Sequence, residues 1–476
     1  MTASGVRRAV LAVFSCALAF LVAAGGGTAH AAKGGGLDLG IWDQVFLSGD
    51  GQERAQWLDR AVGEGANQVT IRAIWRGIAQ SRPGDPTDPA DPAYDWTELD
   101  AAIRDASSRG LSIMLMIYQA PDWAEGPNRD PDAAPGSWRP NPNLLGQFAG
   151  AIATRYSGEF TDPLSPGASL PRVSLYQVWG EPNLWLHLNP QWVRSGGKWR
   201  AASPSHYRRM VNAAYAAVEA VDPANRVIAG GLAPAGDYKR GSRRIEPLLF
   251  WREFFCLRNR NKLKPKKCGG KKPHLDVLGG NPLSGFVTGN PFKGAVQPDD
   301  TWPPDMDELT RIIRAARKHR RVAPRRGTEV WATELLAFTN PPNARYGLSD
   351  AGQASYLADA LFVLWRQGVS NVTWVGLNDG DGYGSGLFRD DGTPKPSAHA
   401  FRFPFVARSK KGKGGVRVWG KSPSGGPVEI EREVAGGFET IDKLGTKAGG
   451  IFSGRVDAPR SARLRATVGD VHSLTR

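Results

Sequence analysis

The chain alternates between two apolar patterns. Near-continuous runs rich in Val, Ile, Leu and aromatic residues lie at 37–42, 68–75, 111–118, 173–179, 226–232, 275–280, 329–335 and 371–377. Runs of that length without polar alternation predict strands covered on both faces, as parallel strands are. Segments with helical spacing separate them. One begins after Asp95 and stops at Gly110. A second has Ser203 as its expected cap, Pro204 at the first helical position, and stops before Pro223. A third, 305–320, places acids in its first turn and bases in its last, and a fourth, 349–368, ends on Gly368.

Eight strands with helices between them predict an α/β chain folded as a (β/α)8 barrel over 37–405. A doubly wound open sheet is the alternative. It would carry a glycine-rich phosphate turn after its first strand, and "DQVFLSGDGQER" at 43–54 is not that turn. Beyond Phe405 the period shortens. "KKGKGG" reads as a linker, and short alternating strands with Gly-rich turns predict a small β-sandwich-like module over 416–476. Its expected role is to pack on the barrel.

The N-terminus changes the picture of where the protein works. Arg7 and Arg8 precede an apolar run, Ala9 to Ala24, and small residues end in Ala29-His30-Ala31. That is the pattern of a secretory signal peptide over 1–31, cleaved near Ala31, leaving a secreted protein with no membrane anchor. Cys256 and Cys268 are the cysteines outside this leader, and export makes a disulfide between them the simplest expectation. No histidine pair stands at metal-ligand spacing, so neither metal nor cofactor is expected.

Net charge is +15, and much of it sits in Arg258–Lys272 and Arg408–Gly415. These basic loops suit an anionic cell-wall polymer. No nucleic-acid motif accompanies them, so specific nucleic-acid binding is not expected.

Candidate chemistry is expected where barrel strands end. Those positions hold Trp42, Arg72, Trp75, Trp123, Glu181, Asn281, Glu334 and Trp374. Two carboxylates among aromatic residues suit glycosidic bond hydrolysis. One must give a proton to the leaving oxygen while the other stays ionised. Tryptophan faces stack on sugar rings, although each of Trp42, Trp75, Trp123 and Trp185 is also a natural core residue. His187 suits either the leaving-group side or loop packing.

"YQVWGEPN" resembles the W-N-E-P-N stretch ending the fourth strand of clan A glycoside hydrolases. "VWATEL" resembles their seventh-strand segment, "VTIRAIW" the second-strand arginine segment, "APDWA" the third-strand loop, and "GLFRDDGTPKPSAHAF" the exit from the eighth strand. The likeness spans roughly 37–405 and is nearest to the β-xylosidase/α-L-iduronidase and cellulase-like families. It implies Glu181 as general acid/base and Glu334 as nucleophile of a retaining hydrolase, with carboxyl groups about 5–5.5 Å apart. It further implies that Arg72 orients Glu334, that Trp374 floors the reacting subsite, and that Trp123, Asn183 and Asn281 contact a poly- or oligosaccharide. Two departures stand out. Gly180 replaces the asparagine before the acid/base, and Asn281 and Leu283 replace a His and a Tyr on the sixth strand. A carbohydrate-binding pseudoenzyme and a basic cell-wall adhesion protein are the other readings.

Overall fold

A computed structural model describes residues 35–285, 288–324, 327–380, 382–409 and 414–476. The expected signal peptide, 1–31, lies outside the described residues. Eight parallel strands close into a barrel: β1 (Asp38–Trp42), β2 (Gln68–Ile74), β3 (Ser112–Tyr118), β4 (Leu175–Val178), β5 (Arg226–Leu232), β6 (Val277–Gly280), β7 (Glu329–Leu335) and β8 (Asn371–Val375). Each coincides with one of the apolar runs. The closed order, with β1 against β8, excludes the doubly wound alternative.

The outer ring is α1 (Gly51–Gly63), α2 (Thr97–Ser108), α3 (Pro142–Arg155), α4 (Ser203–Val221), α5 (Pro247–Phe254), α6 (Met306–Lys318), α7 (Asp350–Arg366) and α8 (Pro396–Arg402). Ser349 caps α7 by accepting from Gly352 N at 3.1 Å. Ser203 does not cap α4. Ala202 takes that place without a side-chain bond, because the Ser203 hydroxyl is engaged with Gln191 Oε1 at 2.9 Å.

Alternation divides each strand between an inner plug and an outer core. Met114, Leu175, Ile228, Val277 and Trp331 fill the barrel interior as one buried cluster. The opposite faces meet the helices in a single large core. At the carboxyl ends of β1 and β8, Asp43 closes the ring by accepting from Leu377 N at 2.6 Å and Asn378 N at 3.2 Å.

The C-terminal module has two antiparallel sheets around Phe405, Val418, Ile430, Phe452 and Leu464. Its first strand, Phe405–Ser409, pairs with Val416–Lys421, so the module begins before 416. Residues 410–413 of the expected linker lie outside the described residues. Trp419 packs against Phe362 and Trp365 of α7, with centroids 5.5 and 5.7 Å apart. Arg476 pairs with Asp359 on the same helix at 2.7 Å.

Cys256 and Cys268 are free thiols, so the expected disulfide is not formed. The thiols are neighbours, and the Arg208 guanidinium sits 3.0 Å from Cys256 Sγ. Burial, and then the contact with Cys268, push the Cys256 thiol up to about 11, so it stays protonated near neutral pH.

Candidate active site

β4 ends on Glu181 through an irregular turn. Trp179 and Glu181 both adopt left-handed backbone, with φ of 69° and 43°. Each such residue costs on the order of 1 kcal/mol or more, a cost that persists where surrounding contacts over-determine the geometry. Those contacts are present. Trp179 N donates to Ile117 O at 2.8 Å, its indole N–H to His187 O at 2.8 Å, and Glu181 N to Gly231 O at 3.0 Å. Gly180 is buried between the two strained residues. A Cβ there would lie 3.3 Å from Met116 Sδ and 3.8 Å from the Tyr118 ring. β3 side chains therefore occupy the space that a larger residue at 180 would need.

β7 delivers Glu334 by a different device. Trp331 and Thr333 face the barrel interior, so strict alternation would turn Glu334 outward. The pairing of β7 with β8 slips by one residue between Ala332 and Leu335, and that bulge re-aims the side chain. Glu334 is half-buried at the mouth. Its carboxyl is held well above the ordinary carboxylate range, first by desolvation and second by the Glu181 charge, while Arg72 opposes both. Two carboxylates close enough to repel, with one guanidinium between the opposing effects, hold their last proton to unusually high pH.

Each carboxylate has its own support. Asn281 Nδ2 donates to Glu181 Oε1 at 3.2 Å, and Asn281 Oδ1 accepts from Thr333 Oγ1 at 2.8 Å. The β6 asparagine thus links the end of β4 to β7. His187 Nε2 stands 3.6 Å from Glu181 Oε2, and its Nδ1 is hydrogen-bonded to the Tyr118 hydroxyl. Burial and both glutamates keep that phenol protonated. Arg72 lies over the Trp42 ring at 4.0 Å and 5.9 Å from the Tyr118 ring. Its Nε is buried without a hydrogen-bond partner among the described residues.

The structure brings together Glu181, Glu334, Arg72 and Asn281. It places other expected site residues elsewhere. Asn183 is wholly buried and its amide is consumed by backbone. Nδ2 donates to Ala233 O and Ile245 O at 3.1 and 3.0 Å, and Oδ1 accepts from Ala233 N at 2.9 Å. It ties the β4 exit to the β5 exit and has no atom left for a sugar. Trp374 is 1% exposed, shares a strand face with Val372 in the outer core, and donates its indole N–H to Ser385 O at 3.0 Å. It offers no ring face for stacking. Trp123 stands edge-on to Trp75, centroids 5.6 Å apart, and donates to Ala79 O at 3.0 Å, so it braces the second- and third-strand exits while part of it stays open. Trp42 is the partly exposed tryptophan beside Arg72.

Tyr118 was not singled out by sequence reasoning, and His187 was left undecided. Strand periodicity was the available signal, since Tyr118 follows Met114 and Met116 on the inward face of β3. Among the described residues no cluster of three or more His, Cys, Asp or Glu could hold a metal, and no helix is long and apolar enough to cross a membrane.

No protein-family profile and no curated protein sequence matches the chain. Solved structures do. A family 39 glycoside hydrolase from the gut symbiont Bacteroides cellulosilyticus superposes with a TM-score of 0.51 at 16% identity, covering 88% of this chain and 79% of that one. A family 39 enzyme from Xanthomonas axonopodis pv. citri gives 0.48 at 13% identity, covering 89% and 92%. At such identities the likeness concerns fold. The chain has the fold of the clan A glycoside hydrolases, a (β/α)8 barrel with a C-terminal all-β module.

Proposed function

We propose that the protein is a retaining glycoside hydrolase that uses Glu181 and Glu334. The observation that carries this reading is the pair of carboxylates that the ends of β4 and β7 bring to one mouth, Glu181 held by Asn281 and Glu334 facing the Arg72 charge. Glu181 gives its proton to the leaving oxygen as Glu334 attacks the anomeric carbon. A glycosyl-enzyme ester forms at Glu334. Glu181, now ionised, deprotonates the water that cleaves the ester.

One proton serves the pair. Desolvation, and then the Glu181 charge, favour it on Glu334. Turnover needs the opposite arrangement. A sugar oxygen accepting from Glu181 supplies the bias, and Arg72 stabilises the Glu334 anion left behind. His187 and Tyr118 form a hydrogen-bonded pair beside Glu181, on the side this mechanism gives to the leaving group.

The test is turnover of aryl glycosides and polysaccharides by the wild type, Glu181→Gln and Glu334→Gln. Loss of the activity in both variants supports the reading. Oligosaccharide binding without turnover by the wild type would make the protein a carbohydrate-binding pseudoenzyme. We place the enzyme outside the cell on the strength of residues 1–31. A mature N-terminus near residue 32 on protein recovered from the medium is the expected result.

A further inference from the structure

A second site lies on the outside of the barrel. A cavity of about 1250 Å3 runs along α4 and α5, under a hairpin formed by Trp192–Ser195 and Lys198–Ala201 and against the loop at 256–272. None of its lining residues belongs to the mouth described above. Eight Lys or Arg side chains and one carboxylate line it.

The charge is largely uncompensated. The one carboxylate, Glu253, is already paired with Lys266. Lys198, Arg200, Arg240, Lys267 and Lys271 are exposed and have no carboxylate partner among the described residues. Gathering like charges in a concave surface raises the local potential and attracts a polyanion. Burial, together with the neighbouring Arg208 charge, lowers the Arg209 pKa, in keeping with that crowding.

The walls are fixed, so the charges do not simply splay apart. Arg208 is nearly buried and spends its donors on Phe254 O at 3.0 Å and Gly269 O at 2.7 Å. Asn212 donates to Lys272 O at 3.1 Å and accepts from His274 N at 2.9 Å. Both residues belong to α4, and both clamp the basic loop against that helix. The hairpin contributes Trp199, 38% exposed, seated against Gly241 and flanked by the Arg194 guanidinium 5.4 Å from its ring. Gly241 has φ +82°, and a Cβ there would collide with the indole at 2.5 Å. The turn at 241 thus leaves room for that one aromatic plate.

We propose that this groove binds a strand of acidic polysaccharide, its carboxylates on the lysines and arginines and one sugar face on Trp199. One exposed plate among many charges suits an acidic sugar strand, whose contacts are mostly ionic. Single-stranded nucleic acid favours a row of aromatic platforms for successive bases, and here the other tryptophan, Trp192, is only 8% exposed. The groove would hold the protein on an anionic polymer while the mouth works. The choice of a glycan rests on the proposed hydrolase reading, but binding is measured without turnover.

The test uses the full chain and calorimetric titration with a polygalacturonate decamer at low and moderate salt. A neutral gluco-oligosaccharide of equal length and an oligothymidylate of equal charge are the comparison ligands. The triple variant Lys198→Glu, Lys267→Glu, Lys271→Glu should bind the uronate strand at least about 30-fold more weakly, with a shallower salt dependence. Trp199→Ala should lose about fivefold with an unchanged salt slope. If the charge-reversed triple melts early, the Lys→Gln triple at the same positions is read instead. Unchanged binding in the variants, equal binding of the neutral sugar, or tighter binding of the oligothymidylate would overturn the proposal.

Discussion

β4 and β7 each end on a glutamate that regular strand geometry would not deliver to the mouth, and they solve the problem differently. β4 uses two left-handed residues, Trp179 and Glu181, around a glycine whose added Cβ would press on Met116 Sδ at 3.3 Å. β7 stays extended and gains one residue against β8. The first device is strained and needs neighbours to hold it; the second follows from pairing. The supports match that difference. Around Glu181 stand Asn281, His187 and Tyr118, with Asn183 bolting the turn to β5 from beneath. Among the described residues no hydrogen bond reaches the Glu334 carboxylate, and Arg72 acts through its charge. Glu181 is thus held by precise placement and Glu334 by electrostatic tuning, which suits the acid/base and nucleophile roles proposed for them.

The largest effect tests the pair itself. Glu334→Gln should lower kcat on the order of 10^4-fold or more, because the ester can no longer form. Glu181→Gln should cost about 10^2- to 10^4-fold, most for substrates with basic leaving groups and least for activated aryl glycosides. Steady-state rates across a leaving-group series check both. An equal loss at Glu181 for every leaving group would break the assigned division of labour.

Removing the bolt comes next. Asn183→Ala leaves three buried backbone groups without partners, so stability should fall by about 2–4 kcal/mol, read from denaturant unfolding. Turnover should fall with it, since the strained turn loses its anchor. A variant as stable as the wild type would mean that the turn holds itself.

Gly180→Asn probes the packing behind the strain. Its Cβ would press on Met116 Sδ at 3.3 Å, with the rest of the side chain toward Tyr118. We expect a loss of about 1–3 kcal/mol in stability and no gain in activity. Improved kcat/KM would show that the missing asparagine, and not the β3 packing, limits the site.

The smallest effect is a shift of the pH profile. Arg72 lowers the pKa of Glu334 against desolvation and the Glu181 charge. Removing the cation in Arg72→Met lets the pair keep its proton to higher pH, so the bell-shaped kcat/KM profile should move to higher pH. An unmoved or downward-shifted profile would separate Arg72 from the pair's titration.

The barrel strands were legible because burial on both faces writes continuous apolar runs, and no surface requirement interrupts them. The position of Glu181 and Glu334 at the ends of β4 and β7 was legible because each lies within a recognisable stretch. Sequence could not show which way a strand-end residue turns. Trp374 falls on the outward face of β8, and Asn183 points down into the β4–β5 seam. Both depend on parity and on loop partners far away in sequence. The Tyr118–His187–Glu181 chain joins β3 to the loop after β4, and no local pattern announces it. The cysteine pair shows the same limit, since export logic predicts a bond while packing against Arg208 shows two thiols.

The central claim is that Glu334 forms a covalent bond to sugar while Glu181 works on the leaving group. It is tested most directly by incubating the protein with a panel of activated 2-deoxy-2-fluoro glycosides and mapping the modified peptide by mass spectrometry. The account predicts one sugar per chain, attached at Glu334, with no label in Glu334→Gln. A label on another residue, or none from any sugar that the enzyme hydrolyses, would contradict it.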